Sequence, residues 1–594
     1  MTQTRSDERA FPFHRSYREI DCARKVPNMN VLRSELPPIF ALRTTTAALF
    51  AFATAWNFGI HHPWWAAMTV WLVAQPTRGL LLERSLARLI GTIGGALAGA
   101  LILDLLAENR LDALVAVATW LALCAGLGSI FRHFRNYGFV LAGYTTSIIV
   151  LFGIGEGVSD PDLTLDRVIC TMIGIICSAV FSFRALPGRS KELACRRTDV
   201  VDRCLAYVEE SLRKGAMSRS CVTLFSEITA LDRCVDEYAA GSLHRQREAR
   251  RTRCISGLLL ELIALSATSH GGNLPPEVNG PTEKRLAMLI AAANDSDQSA
   301  TADTLDELRQ HLANERTSPE PLQLDIDPSS VWRAASRPVV ALAIAAIIWW
   351  VSGWGSGAMM VMTAALFTSL FSSHDQGNHM VIQVLLGTLA GAITGALARL
   401  FLLPHADGLA TTLLCIAPFL LAGAWLMQRP ATSKMAIDLT MTFLLISQPS
   451  SPPVGAALVL NEAAAIIVGV MIAVATFWAI LPATPSVRSM LLARRIVRLT
   501  LQLSKKRSTT SAKAMQQNLR SAVARLLYFT KPQSTIFLAA QECLAAASQV
   551  LATKSENQTL STSSPNTPTY DSAARQAAAT LANALIKNQK GETS

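Results

Sequence analysis

Three arginines, Arg78, Arg84 and Arg88, fall within eleven residues, with Glu83 as the one acid among them. Arginine presents a planar fork of donors that grips a carboxylate through two parallel hydrogen bonds, which lysine cannot match. The group runs straight into an apolar segment, so the predicted chemistry is anion binding at the entrance to a membrane span. Arg88 lies deepest, about one turn before Gly91. The competing reading is that the three arginines bind lipid phosphate or fix orientation. Two tryptophans are candidates for stacking on an aromatic ring: Trp64, in His61-His62-Pro63-Trp64-Trp65, and Trp71. Two adjacent histidines are too few for a metal site, and an interfacial aromatic belt accounts for the rest of that run.

Three acids could carry protons: Glu83, Asp438 and Glu462. An acid inside a span is costly, so Asp438 is a functional candidate by default. Its alternative is a pair with Lys434, four residues earlier on the same helical face. Glu462 has Arg167 as its counterpart in an internal repeat, so an ion pair between them is one reading and hydration at the interface the other. Arg132, His133 and Arg135, and the turn holding His374, Asp375 and His379, read as polar connections. There is no Gly-Lys dipeptide and hence no phosphate-cradling loop, and no H-E-x-x-H. The chain is read as neither an enzyme nor a metal or cofactor protein, with energy drawn from the proton gradient.

The elements that must position these residues are helices. Gly91, Gly95 and Gly99 recur every fourth residue, and Gly387, Gly391 and Gly395 repeat the stripe. Such stripes let a second helix backbone approach closely. Gly91-Thr92 matches Gly387-Thr388, Gly99-Ala100-Leu101 matches Gly395-Ala396-Leu397, Leu186-Pro187 matches Leu481-Pro482, and Ala125-Gly126 matches Ala422-Gly423, at separations of 295–297 residues. A composition of 51% hydrophobic and 16% charged residues, with apolar blocks of bilayer-spanning length, marks a polytopic membrane protein. Six spans are expected over 39–186 and six more over 336–482, as two parallel-repeat six-helix bundles in an all-α membrane protein. Around them lie an N-terminal segment (1–38), a polar helical domain (187–335) and a helical tail (483–594) with a disordered stretch near 554–570. The formal charge of +11 gathers beside the spans on one side, which places both termini and both polar domains in the cytoplasm. It does not call for nucleic acid. Eleven cysteines without a C-x-x-C pair fit a chain with no disulfide framework.

The run HPWWAAMTVWLVAQPTRGLLLERSLARLIGTIGGALAGA, followed by WLALCAGLGSIFRHFRNYGFVLAGYT, resembles the fusaric acid resistance family of bacterial inner-membrane proteins. It is most similar to the family's aromatic carboxylic acid exporters. The resemblance is most specific over 61–145 and looser over both membrane blocks and the domain between them. It implies efflux of small, often aromatic, organic acids. It also implies a periplasmic membrane-fusion partner and an outer-membrane channel. The partners expected are therefore the lipid bilayer, a small organic acid, those two proteins and further copies of the chain. A passive anion channel and a membrane-anchored scaffold are the alternatives.

Overall fold

The structure, a computed structural model, describes residues 37–74, 78–106, 108–131, 134–156, 161–183, 190–214, 221–268, 281–313, 328–372, 377–429, 431–480, 485–505, 509–531, 534–559 and 567–591. Among these the secondary structure is helical. The first apolar group is α1 (Pro37–Asn57), α2 (Trp64–Val73), α3 (Arg78–Leu106), α4 (Arg110–Ile130), α5 (Phe134–Glu156) and α6 (Pro161–Phe183). The second is α12 (Pro328–Ser352), α13 (Gly357–Ser372), α14 (Gly377–Leu397), α15 (Leu409–Met427), α16 (Ser433–Ser447) and α17 (Ala456–Ala475). Between them stand α7 (Ser190–Lys214), α8 (Cys221–Ala239), α9 (Leu243–Ser266), α10 (Thr282–Asp295) and α11 (Ser299–Ala313). The chain closes with α18 (Pro485–Lys505), α19 (Thr509–Leu526), α20 (Thr535–Thr559) and α21 (Thr567–Gly591).

Ten helices among the described residues are long and apolar enough to cross a membrane. Nine belong to the two apolar groups. The tenth, Thr535–Lys554 in α20, lies in the sequence tail and is packed among polar-surfaced helices, with Phe537, Ala540, Cys543 and Leu544 all fully buried. Hydropathy alone cannot separate a helix enclosed by protein from one enclosed by lipid. Three of the twelve expected spans are short. α2 has 10 residues, α13 has 16 and α16 has 15. α2 stops just before Gln75-Pro76, where proline removes a backbone donor. Of the stretch 554–570, the residues up to Thr559 continue α20 and those from Thr567 begin α21, while 560–566 lie outside the described residues.

The packing follows the glycine stripes. α3 lies against α5, and α14 against α16. A side-chain carbon on Gly95 would lie 2.5 Å from the Ala142 carbonyl oxygen, and one on Gly391 would lie 2.5 Å from that of Leu439. Gly91 meets the Gly138 carbonyl, Gly387 that of Met435, Gly99 the Ile149 side chain, and Gly395 Phe443 and Ile446. The opposite face of α3 exposes Leu86, Ile90, Leu97, Leu101 and Leu105, an apolar stripe suited to lipid. The two groups are interlocked: α1 packs on α15 and α4 on α12, while α2 packs on α16 and α5 on α13.

The polar helices share one core, so the segments 187–335 and 483–594 are not separate bodies. Its polar centre is Glu261 of α9, fully buried, which accepts hydrogen bonds from Arg520, Gln516 and Ser548. Arg520 also forks onto both oxygens of Glu307 at 2.8 Å each. Burial favours the neutral acid at Glu307, but the Arg520 hydrogen bonds and charge outweigh it and hold the carboxyl below its ordinary range. Cys195 is disulfide-bonded, in contrast to the expectation of a chain with no disulfide framework. The polar core meets the apolar helices at the start of α3. There Gly79 touches the Ala240 carbonyl, and Gly241, at φ +79°, donates its N–H to Glu83 at 2.9 Å.

Candidate functional site

Four helices converge on Arg88. It stands on α3 with 1% of its surface exposed. Its guanidinium donates to the Tyr144 hydroxyl at 3.0 Å and the Tyr137 hydroxyl at 3.2 Å, both on α5. A third bond, at 3.3 Å, reaches Thr69 of α2, and Nε is buried without a partner. Tyr137 and Tyr144 are seven residues apart, two helical turns, so one face of α5 presents both phenols. Thr69 is set by close packing: a side-chain carbon on Gly174 of α6 would lie 2.5 Å from the Thr69 Cβ.

Arg167 of α6 completes the group. It is 5% exposed, and its guanidinium sits 4.7 Å over the Trp65 ring. Arg88 and Arg167 lie within electrostatic range of each other and of both tyrosines. Neither arginine makes an ion pair among the described residues. Arg84, one turn before Arg88, places its guanidinium 4.9 Å over the Tyr137 ring and lies within electrostatic range of Lys434. Such an arrangement of buried guanidinium groups and hydroxyls can hold an anion beside aromatic rings.

The remaining sequence candidates are dispersed. The Arg78 side chain lies outside the described residues, as do the side chains of Arg132, His133, Arg135, His374, Asp375 and His379. Trp64 and Trp71 are buried on a different face of α2 from Trp65 and Thr69. Trp64 packs edge-on against His62, with ring centroids 4.7 Å apart, and Trp71 points towards Gly423 of α15. The indole that meets Arg167 is Trp65. Glu83 accepts from Gly241 and, at 3.1 Å, from Gln246, so it joins α3 to the polar helices.

Asp438 is 6% exposed and accepts from the Thr388 hydroxyl at 2.6 Å. It makes no pair with Lys434, which is exposed. Glu462 does not pair with Arg167. Its partner is Arg399, at 2.6 Å. Arg399 also donates to the Ile446 carbonyl at 3.2 Å and to Gln448 at 3.0 Å. It sits in a π-helical turn, Ala398–Leu402, that continues α14. Sequence reasoning passed over Arg399, Tyr137, Tyr144 and Thr69. The signal for Arg399 was present, since a charge inside LARLFLL is costly unless paired. The hydroxyl groups gave none, because one tyrosine in an apolar helix reads as packing.

The chain matches the fusaric acid resistance protein family over residues 38–325 and 318–592. Among curated relatives it is 24% identical to the p-hydroxybenzoic acid efflux pump subunit AaeB of Escherichia coli O9:H4 (strain HS), over 69% of this chain and 70% of the relative. It is 25% identical to the subunit of the same name from Shigella boydii serotype 18, with the same coverage. No solved structure matches it significantly. The family match spans nearly all of the helices described above, and the chain belongs to the fusaric acid resistance protein family.

Proposed function

We propose that this multi-pass membrane protein is the inner-membrane subunit of an efflux system that exports aromatic carboxylic acids. The observation that carries the reading is Arg88, fully buried among hydroxyl groups with no carboxylate of its own among the described residues. A buried charge is tolerable only when paired, and the substrate's carboxylate is the natural partner. The relatives are named for p-hydroxybenzoic acid efflux, which supports the same substrate class. Arg84 and Arg78 draw the anion towards Arg88 from the cytoplasm, and Trp65, rather than Trp64 or Trp71, supplies the aromatic face beside Arg167.

The membrane part consists of two parallel six-helix repeats related by a pseudo-twofold axis along the membrane normal. Matched packing supports this: α3–α5 answers α14–α16, α2–α6 answers α13–α17, and α1–α15 answers α12–α4. The polar core faces the cytoplasm, as do both termini. A periplasmic membrane-fusion protein and an outer-membrane channel complete the route, and copies of the chain assemble in the membrane.

The proton gradient drives export, with Asp438 as carrier. When ionised, Asp438 accepts from Thr388. When protonated, it donates to the Thr388 hydroxyl, which is then free to donate to the Val384 carbonyl at 3.1 Å. Both states are hydrogen-bonded, so the proton can be taken up and released without leaving a buried group unsatisfied. Glu462 is held by Arg399 and Glu83 by Gly241, so they are weaker carriers.

The test is efflux of a panel of aromatic acids from cells, with a topology reporter on each variant. Arg88→Lys should insert normally yet lose at least tenfold in export, about 1.4 kcal/mol. Parental export by both Arg88→Lys and Arg88→Gln would sink the site. Export that survives a protonophore and follows only the acid's own gradient would mark a passive channel instead.

A further inference from the structure

One carboxylate on Arg88 leaves Arg167 unaccounted for. Its guanidinium has an aromatic face beneath it, 4.7 Å away, and no hydrogen-bonding partner among the described residues. The adjacent acid, Asp166, is turned away: it accepts from the His61 backbone N–H at 3.2 Å and lies 3.3 Å from His61 Nδ1. The groups bonded to Arg88 are hydroxyls, with no carboxylate among them. Two positive charges thus lie within electrostatic range of one another in a buried setting with no acid paired to either. Like charges in low dielectric repel strongly. A monoanion compensates one of them and leaves the other bare. An anion with two charged groups compensates both, and the rings of Trp65, Tyr137 and Tyr144 favour an aromatic body between those groups.

We propose that Arg88 and Arg167 form a two-cation site that takes an aromatic dianion, with one anionic group on each guanidinium. Arg167 is then the residue that sets the preference for a second charge. The proposal rests on the reading of Arg88 as the carboxylate-binding residue.

The experiment is a binding titration of the full-length chain in lipid nanodiscs, followed by calorimetry. The ligands are benzoate and the three benzene dicarboxylates, whose charges differ only in number and spacing. The best dicarboxylate should bind the parent at least roughly tenfold more tightly than benzoate, the scale of one further desolvated charge pair. Arg167→Gln should weaken that dicarboxylate at least roughly tenfold more than it weakens benzoate, and Arg167→Lys should keep part of the preference. Equal affinity for benzoate and every dicarboxylate in the parent overturns the two-cation site while leaving the carboxylate reading intact. So does an equal loss for both classes in Arg167→Gln, which marks a structural arginine. Benzoate binding that is unchanged in Arg88→Gln, or no binding of any acid by the parent, removes the carboxylate reading and the proposal with it.

Discussion

The helices α2, α3, α5 and α6 and the helices α13, α14, α16 and α17 are packed alike but charged differently. Gly91 faces Leu141 in the first region, and Gly387 faces Asp438 in the second. Arg88 stands three residues before Gly91, where Val384 stands before Gly387. At matching depth, therefore, one region buries a cation and the other an acid. On α6 and α17 the same contrast recurs: Arg167 has no acid among the described residues, whereas Glu462 is closed onto Arg399. The second region thus satisfies its arginine internally and the first does not. A shared backbone scaffold sets where a buried charge can sit, and the side chains decide whether the protein or a ligand completes it.

That contrast can be broken most forcefully at Arg399. Arg399→Gln strands the partly buried Glu462, and losing one partner of a buried pair costs up to about 3–5 kcal/mol. Thermal unfolding in detergent should show the loss, and adding Glu462→Gln should recover much of it. Arg88→Gln should cost far less stability, because no acid is stranded. An equal loss at the two arginines would erase the distinction between a closed pair and an open site.

The glycines test what the regions have in common. Gly95→Leu and Gly391→Leu each force α3 from α5 or α14 from α16, with an overpacking cost of about 1–3 kcal/mol. Yield and assembly of the purified variants report it, and the two should suffer similarly. A clear asymmetry would mean that the regions are less alike than their packing suggests. Leu141→Asp sharpens the comparison by copying the acid of the second region into the first. Leu141 lies between Tyr137 and Tyr144 on the face that meets α3. The new carboxylate should pair with Arg88 and compete with substrate, lowering acid export by roughly tenfold, about 1.4 kcal/mol. Undiminished export by a folded Leu141→Asp chain would place the substrate away from Arg88.

The glycine stripes, the charge-poor spans and the anomaly of Arg88 were legible because they rest on helical period and on the cost of charge in lipid. The partners of those charges were not. Arg399 and Glu462 are 63 residues apart, and Arg88 and Tyr144 are 56 apart. Only the fold decides that Glu462 meets Arg399 rather than Arg167. The lone Asp438 was readable as an oddity, but its Thr388 partner depends on how α14 seats on α16. The shared core of the two polar segments was equally hidden, since Glu261 and Arg520 come from stretches that each look like an independent helical domain.

The seam at Gly79, Ala240 and Gly241 bears on how such proteins can be recombined. Gly79 has no room for a side chain against the Ala240 carbonyl, and Gly241 holds a backbone angle that few other residues adopt. Glu83 then fastens the same corner through Gly241 and Gln246. A chimera that exchanges the polar helices between family members must therefore carry residues 79, 83, 240, 241 and 246 as a matched set. A crossover that separates them leaves a mismatched hinge plate two turns from Arg88, however well each half folds.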